Sequence, residues 1–191
     1  LGFTIHTKIK DIEKFQQTVE SQAVESGYNA EHDESSSTVS FCRLGDLFLN
    51  YQHEGEGNTD NVISVNGDCQ TNMLGPGFHK AAIEFIDRLQ QATRTRFEVE
   101  DETDYYTERD FEAMKKKHFH KWLAKLFEID PQEITPEARL YEDLELDSID
   151  AVDMVVHLQK KTGKKIKPET FKSVRTVQDV VDAVAQLLHE E

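Results

Sequence analysis

The sequence predicts an α+β domain over residues 1–110, an antiparallel sheet with helices on one face, followed by an all-α four-helix bundle over residues 111–191. Three observations carry this. Short period-two apolar stretches recur between Phe3 and Val99, separated by two runs at helical spacing. From Thr107 onward helical spacing dominates and no strand pattern is found. Charge is also uneven, with 21 acids against 9 bases in residues 1–110 and 16 against 13 in residues 111–191.

In chain order, Phe3, Ile5, Thr7 and Ile9 share one face of a first strand, with Thr4, His6 and Lys8 on the other. Ile12, Phe15, Val19 and Ala23 then fall at helical spacing, with Asp11 placed to cap the start and Gly27 to stop the run. Residues 38–44 and 46–52 read as a hairpin turning at Gly45-Asp46. Glu54 to Asn58 reads as a loop and residues 61–66 as a further strand. Leu74-Gly75-Pro76-Gly77 breaks the chain before an amphipathic helix through Phe78, Ala82, Phe85, Ile86 and Leu89, and a last strand at 97–99 runs into the acids of 100–104. The expected order is β-α-β-β-β-α-β. In the second part, Phe111, Met114, Phe119, Trp122, Leu123 and Leu126 mark a helix ending by Asp130-Pro131, with no flexible linker before it, so a stiff joint is expected. A long loop leads to a helix from Asp147-Ser148 to Thr162-Gly163, a short turn at Pro168–Phe171 follows, and a final helix spans Thr176 to Leu188.

With 37% hydrophobic and 31% charged residues, the chain has the composition of a folded globular protein. No apolar run approaches the roughly 18–20 residues a membrane span needs, and the opening Leu1–His6 lacks signal-peptide regions. A cytoplasmic location is expected. Cys42 and Cys69 form no CxxC pattern, so a zinc site has no support. The net charge of −15 repels nucleic acid and anionic membranes and favours basic protein partners.

Chemistry concentrates in Leu140-Tyr141-Glu142-Asp143-Leu144-Glu145-Leu146-Asp147-Ser148-Ile149-Asp150-Ala151-Val152-Asp153. Taken alone, Asp147 or Ser148 is a good helix N-cap, the early acids suit the positive end of the helix dipole, and Ile149, Val152, Val155 and Val156 pack in a core. The wider pattern says more. Asp147-Ser148-Ile149-Asp150 resembles the Asp-Ser-Leu-Asp/Glu signature of the acyl carrier protein family, with Ile in place of Leu, a volume-conserving departure. Glu142-Asp143-Leu144 upstream, Val155 to Gln159 downstream, Ile166-Lys167-Pro168-Glu169, Val174 to Val180 and Leu126 to Pro131 resemble further segments of that family, so the likeness spans about residues 112–188.

The resemblance implies a phosphopantetheinyl transferase that moves 4′-phosphopantetheine from coenzyme A onto the Ser148 hydroxyl, beside Asp147. The arm then holds acyl groups as thioesters in fatty-acid, polyketide or related biosynthesis. It implies a solvent-exposed hydroxyl at a helix N-terminus, where free N–H groups and the dipole favour a phosphodiester. It implies a docking face of Glu145, Asp147, Asp150 and Asp153, joined by Met154, for basic patches on acyl-transfer or synthase enzymes. Phe127, Leu144, Val155, Leu158, Ile166, Phe171, Val181 and Val184 would form the bundle interior. The carrier domain would not itself be an enzyme.

Two other signals are weighed against plainer readings. Cys69 and His79 are weak candidates for a nucleophile and its base; with no third orienting residue, a strand cysteine and a first-turn helix histidine is the favoured reading. Lys115 to Lys121 resembles a nucleic-acid patch, but on a helix these residues point several ways, and His118 and His120 are two apart and do not share a metal. Residues 1–110 match no motif and are read as a partner-binding domain. The alternatives are an enzyme acting on the carrier-bound thioester, an engineered fusion, or a carrier-like protein never modified, in which Ser148 serves only as a cap.

Overall fold

The computed structural model describes residues 1–54, 62–72, 74–162, 165–166 and 173–189. Gly55–Asn58, Asn61, Gly163, Lys167 and the Pro168–Phe171 turn, as well as the Val184 side chain, lie outside the described residues. The chain divides into two compact units, Leu1–His118 and Phe119–Glu191.

In the first unit, β1 (Gly2–Ile9), β2 (Asn29–His32), β3 (Ser36–Cys42), β4 (Gly45–His53), β5 (Ile63–Gln70) and β6 (Glu98–Asp101) form one sheet. Its order is β2-β3-β4-β5-β1-β6, antiparallel at every pairing. Helices α1 (Ile12–Glu25) and α2 (Pro76–Thr93) cover one face. The alternation on β1 decides which face: Phe3, Ile5, Thr7 and Ile9 are buried while Thr4 and Lys8 are exposed. β4 repeats it with Leu47, Leu49 and Tyr51 inward and Phe48, Asn50 and Gln52 outward. Phe15, Val19 and Ala23 of α1 and Ala82, Phe85, Ile86 and Leu89 of α2 complete the core. Asp11 caps α1, accepting from the Lys14 amide at 2.9 Å. Gly67 faces this core between Ile5 and Leu49; a Cβ there would lie 2.8 Å from each side chain.

Five strands are predicted in this unit and six form. The added β2, Asn-Ala-Glu-His, is a four-residue edge strand with two exposed side chains, so it carries no apolar alternation. Its link to β3 is built by Asp33, whose carboxylate accepts from the Ser35 amide and from the Ser35 and Ser36 hydroxyls. Those bonds, the Ser36 hydroxyl foremost, hold Asp33 down to about 2. The β3–β4 turn falls at Arg43-Leu44, because a register shift between Ser40 and Cys42 pairs Cys42 with Gly45. A short helix, α3 (Tyr105–Glu108), also forms ahead of α4 (Phe111–Phe127).

The second unit is helical. It holds the end of α4, then α5 (Ser148–Thr162) and α6 (Val177–His189) among the described residues. Leu123, Ala124, Ile134, Ala138, Leu144, Leu146, Met154, Val155, Leu158, Ile166, Val177 and Val180 make its core. The long loop before α5 is tied to the start of α6: Leu140 N donates to Arg175 O at 2.9 Å and Val177 N to Ala138 O at 3.0 Å.

Candidate functional site

At the start of α5, Asp147 takes the cap. Its Oδ1 accepts from the amides of Ile149 at 2.6 Å and Asp150 at 3.1 Å, and its carbonyl accepts from Ala151 N at 3.1 Å. Asp150 Oδ2 returns the bond by accepting from Asp147 N at 2.9 Å, a reciprocal arrangement with aspartate in the place glutamate usually takes. Ser148 is therefore the first helical residue rather than the cap. It is exposed, and among the described residues its hydroxyl has no hydrogen-bond partner. The cap role considered for Ser148 falls to Asp147, since the second- and third-residue amides are already filled by its carboxylate. The same filling narrows the expectation of several free N–H groups. The Ser148 amide is the first-turn donor left without a partner among the described residues, together with the positive end of the helix dipole.

The loop leading to Ser148 is held by its own chain. Arg139 N and Nε donate to Asp143 Oδ2 at 2.8 and 3.2 Å, and Arg139 Nη2 donates to Oδ1 at 3.1 Å. The Arg139 carbonyl accepts from the Asp143 and Leu144 amides. The Arg139 side chain and then its amide hold the Asp143 carboxyl below the usual range. Leu146 N donates to Leu140 O at 2.8 Å, which folds the loop back beside the helix start. Leu144 and Leu146 are buried beneath it, and Glu145 between them stands in left-handed backbone at φ 54°.

The faces of α5 differ from expectation. Met154, expected on the docking face, is 1% exposed and belongs to the core with Val155 and Leu158. Ile149, Val152 and Val156, expected in the core, are 68%, 61% and 40% exposed. Residues 154, 155 and 158 share one side of the helix, and 149, 152 and 156 share another, so burying the first set turns the second outward. Of the expected docking acids, Glu145, Asp147 and Asp153 are exposed, while Asp150 is half-buried with one oxygen committed to the Asp147 amide. The exposed surface beside Ser148 is thus a mixed stripe of aliphatic and acidic side chains.

In the first unit, Cys69 is fully buried on β5, and burial, with Asp68 and Asp46 adding to it, pushes its thiol up to about 12. His79 is also fully buried. Its Nδ1 lies 2.9 Å from Thr71 Oγ1 and its Nε2 lies 3.1 Å from Asp101 Oδ1. Burial raises the Asp101 carboxyl, but the His79 ring, the Thr103 and Tyr106 amides and the Thr103 hydroxyl outweigh it and hold Asp101 below the ordinary range. This buried cluster ties the end of β5, the start of α2 and the end of β6. Both ring nitrogens of His79 thus have partners other than Cys69. Sequence reasoning missed Asp101 as the partner of His79, because the two lie on separate elements and Asp101 sits in a run of acids.

The family model described as the phosphopantetheine attachment site matches residues 120–184. Residues 1–119 lie outside that match. Acyl carrier protein 2 of Ralstonia nicotianae is 64% identical over 62 residues, 32% of this chain and 76% of the relative. The acyl carrier protein of Thermosynechococcus vestitus is 37% identical over 62 residues, again 32% of this chain and 76% of the relative. The meromycolate extension acyl carrier protein of Mycolicibacterium aurum is 42% identical over 73 residues, 36% of this chain and 74% of the relative.

Proposed function

This chain belongs to the acyl carrier protein family through its C-terminal part, and we propose that Ser148 is the residue on which it bears its covalent 4′-phosphopantetheine. One observation carries the assignment. Asp147 satisfies the cap, so the adjacent Ser148 hydroxyl stands exposed and uncommitted at the first helical position. A phosphodiester fits there on steric grounds, and the helix dipole favours it while the Asp147 and Asp150 carboxylates oppose it. When bound, the group supplies a terminal thiol on which acyl chains are carried as thioesters.

The carrier domain is not an enzyme; it presents a hydroxyl to one. In the loading step a phosphopantetheinyl transferase directs Ser148 Oγ to the phosphorus of coenzyme A that bears the pantetheine. A new P–O bond forms, the pyrophosphate P–O bond breaks, adenosine 3′,5′-bisphosphate leaves, and the serine proton passes to the transferase. No His or Asp side chain hydrogen-bonds the Ser148 hydroxyl among the described residues, in keeping with an acceptor activated by its partner.

Docking of that transferase, and of acyl-transfer or synthase enzymes, uses the α5 face of Asp147, Asp153, Ile149, Val152 and Val156 with Glu145 before it. The acids steer a basic partner and the aliphatic stripe gives the contact its apolar centre. Intact mass after incubation of the full chain with coenzyme A and a broad-specificity transferase tests the assignment. Wild type gains one phosphopantetheine and Ser148→Ala gains none; a gain in both moves the site elsewhere.

A further inference from the structure

Tyr141 is 71% exposed, a large aromatic side chain lying outside the α5 stripe. Its neighbour Leu140 packs against the core of the second unit, and the turn around them is pinned by the Arg139–Asp143 bonds. The ring is thus carried on a backbone that is already ordered, so little further backbone ordering is needed when a partner covers it.

Its distance from Ser148 is bounded by covalent geometry. The bond from Leu146 N to Leu140 O, one residue step to Tyr141 and two to Ser148 keep the two Cα atoms within about 18 Å. A standard interface covers about 800 Å² on each partner, a patch about 30 Å across. An enzyme whose footprint runs from the Ser148 hydroxyl back along the preceding loop covers Tyr141 as well. The surroundings set the chemistry of that partner: Glu142, next to Tyr141 in the chain, and Glu145, Asp147 and Asp153, on either side of Ser148 in the chain, are all exposed. A surface that complements them is basic, with an apolar recess for the ring.

We infer that Tyr141 is a docking anchor for the enzyme that esterifies Ser148, seated in an apolar recess rimmed by basic side chains. The inference rests on Ser148 being the attachment residue. Tyrosine is enriched among residues that dominate binding because it combines a large apolar area with few rotatable bonds. Tyr141 acts on encounter and register. It does not touch the reacting atoms, and its loss weakens docking while leaving the chemical step intact.

The test measures initial rates of loading of the full chain by intact mass, with coenzyme A and the transferase, across a range of carrier concentrations. Tyr141→Ala lowers kcat/KM at least about fivefold, through KM, and still reaches one group per chain. Tyr141→Phe keeps the ring and stays near wild type. Val24→Ala, an exposed apolar residue of the first unit, changes nothing. Unreactive Ser148→Ala added as a competitor slows loading of wild type, and Ser148→Ala/Tyr141→Ala competes correspondingly less well, a readout independent of turnover. Equal kcat/KM for Tyr141→Ala and wild type, or equal competition by the two unreactive chains, overturns the anchor. A mass gain on Ser148→Ala instead overturns the attachment site, so the two failures are separable.

Discussion

Asp147 and Asp150 each accept the other's backbone N–H: Asp147 Oδ1 takes the Asp150 amide at 3.1 Å and Asp150 Oδ2 takes the Asp147 amide at 2.9 Å. The helix start is therefore closed by two aspartates, and the side chain of the serine between them has no hydrogen-bond partner among the described residues. The cap and the proposed attachment point are thus different side chains.

Asp147→Ala should cost the second unit about 1 kcal/mol, the usual loss on removing a cap, while Ser148→Ala should change stability by no more than about 0.5 kcal/mol. Urea unfolding followed by circular dichroism compares them. A larger loss from the serine variant would mean that its hydroxyl holds the helix after all.

Met154→Ala removes a buried side chain from the second core and should cost about 2–5 kcal/mol, whereas Val152→Ala, on the exposed stripe, should stay within about 0.5 kcal/mol. Loading rates should respond in the opposite sense, with Val152→Ala slowed and folded Met154→Ala little changed.

Thiol labelling at pH 8 should modify Cys42, which is exposed, and spare Cys69, which is buried with its thiol pushed up to about 12. In denaturant both should react. Labelling of Cys69 at the rate of Cys42 in the native chain would contradict this, and would reopen the Cys69 reading.

Asp101 makes the first unit acid-sensitive. Its carboxyl is held below the ordinary range when folded, so the stability it contributes is present above the unfolded value of about 3.9. That contribution is lost progressively as pH falls through and below that value. Chemical unfolding between pH 6 and 2 should show a steeper loss for wild type than for Asp101→Asn. The asparagine variant should also be less stable at pH 7, because His79 loses its charged partner.

The positions of β1, α1, β4, α2 and α5 were legible in the sequence because each has a clear apolar period or a cap: Phe3-Ile5-Thr7-Ile9, Asp11, Gly75-Pro76, Asp147. β2 was not, since Asn29 to His32 is polar and gains its strand geometry from pairing with β3, a contact made through the Asp33 turn. Asp101 as the partner of His79 was equally hidden, for the two stand 22 positions apart in the chain with most of α2 between them.

By itself the sequence determined where a helix begins around Asp147-Ser148 and which family signature sits there, because capping chemistry and local spacing act within a few residues. Only the tertiary structure decided which way α5 faces. Seven of its ten residues from 149 to 158 are aliphatic or Met, spread around the helix, so no periodicity selects one side. The choice was made by the side chains of other elements, Leu123, Leu144 and Leu146 among them, whose packing draws Met154, Val155 and Leu158 inward and leaves Ile149, Val152 and Val156 for solvent or a partner.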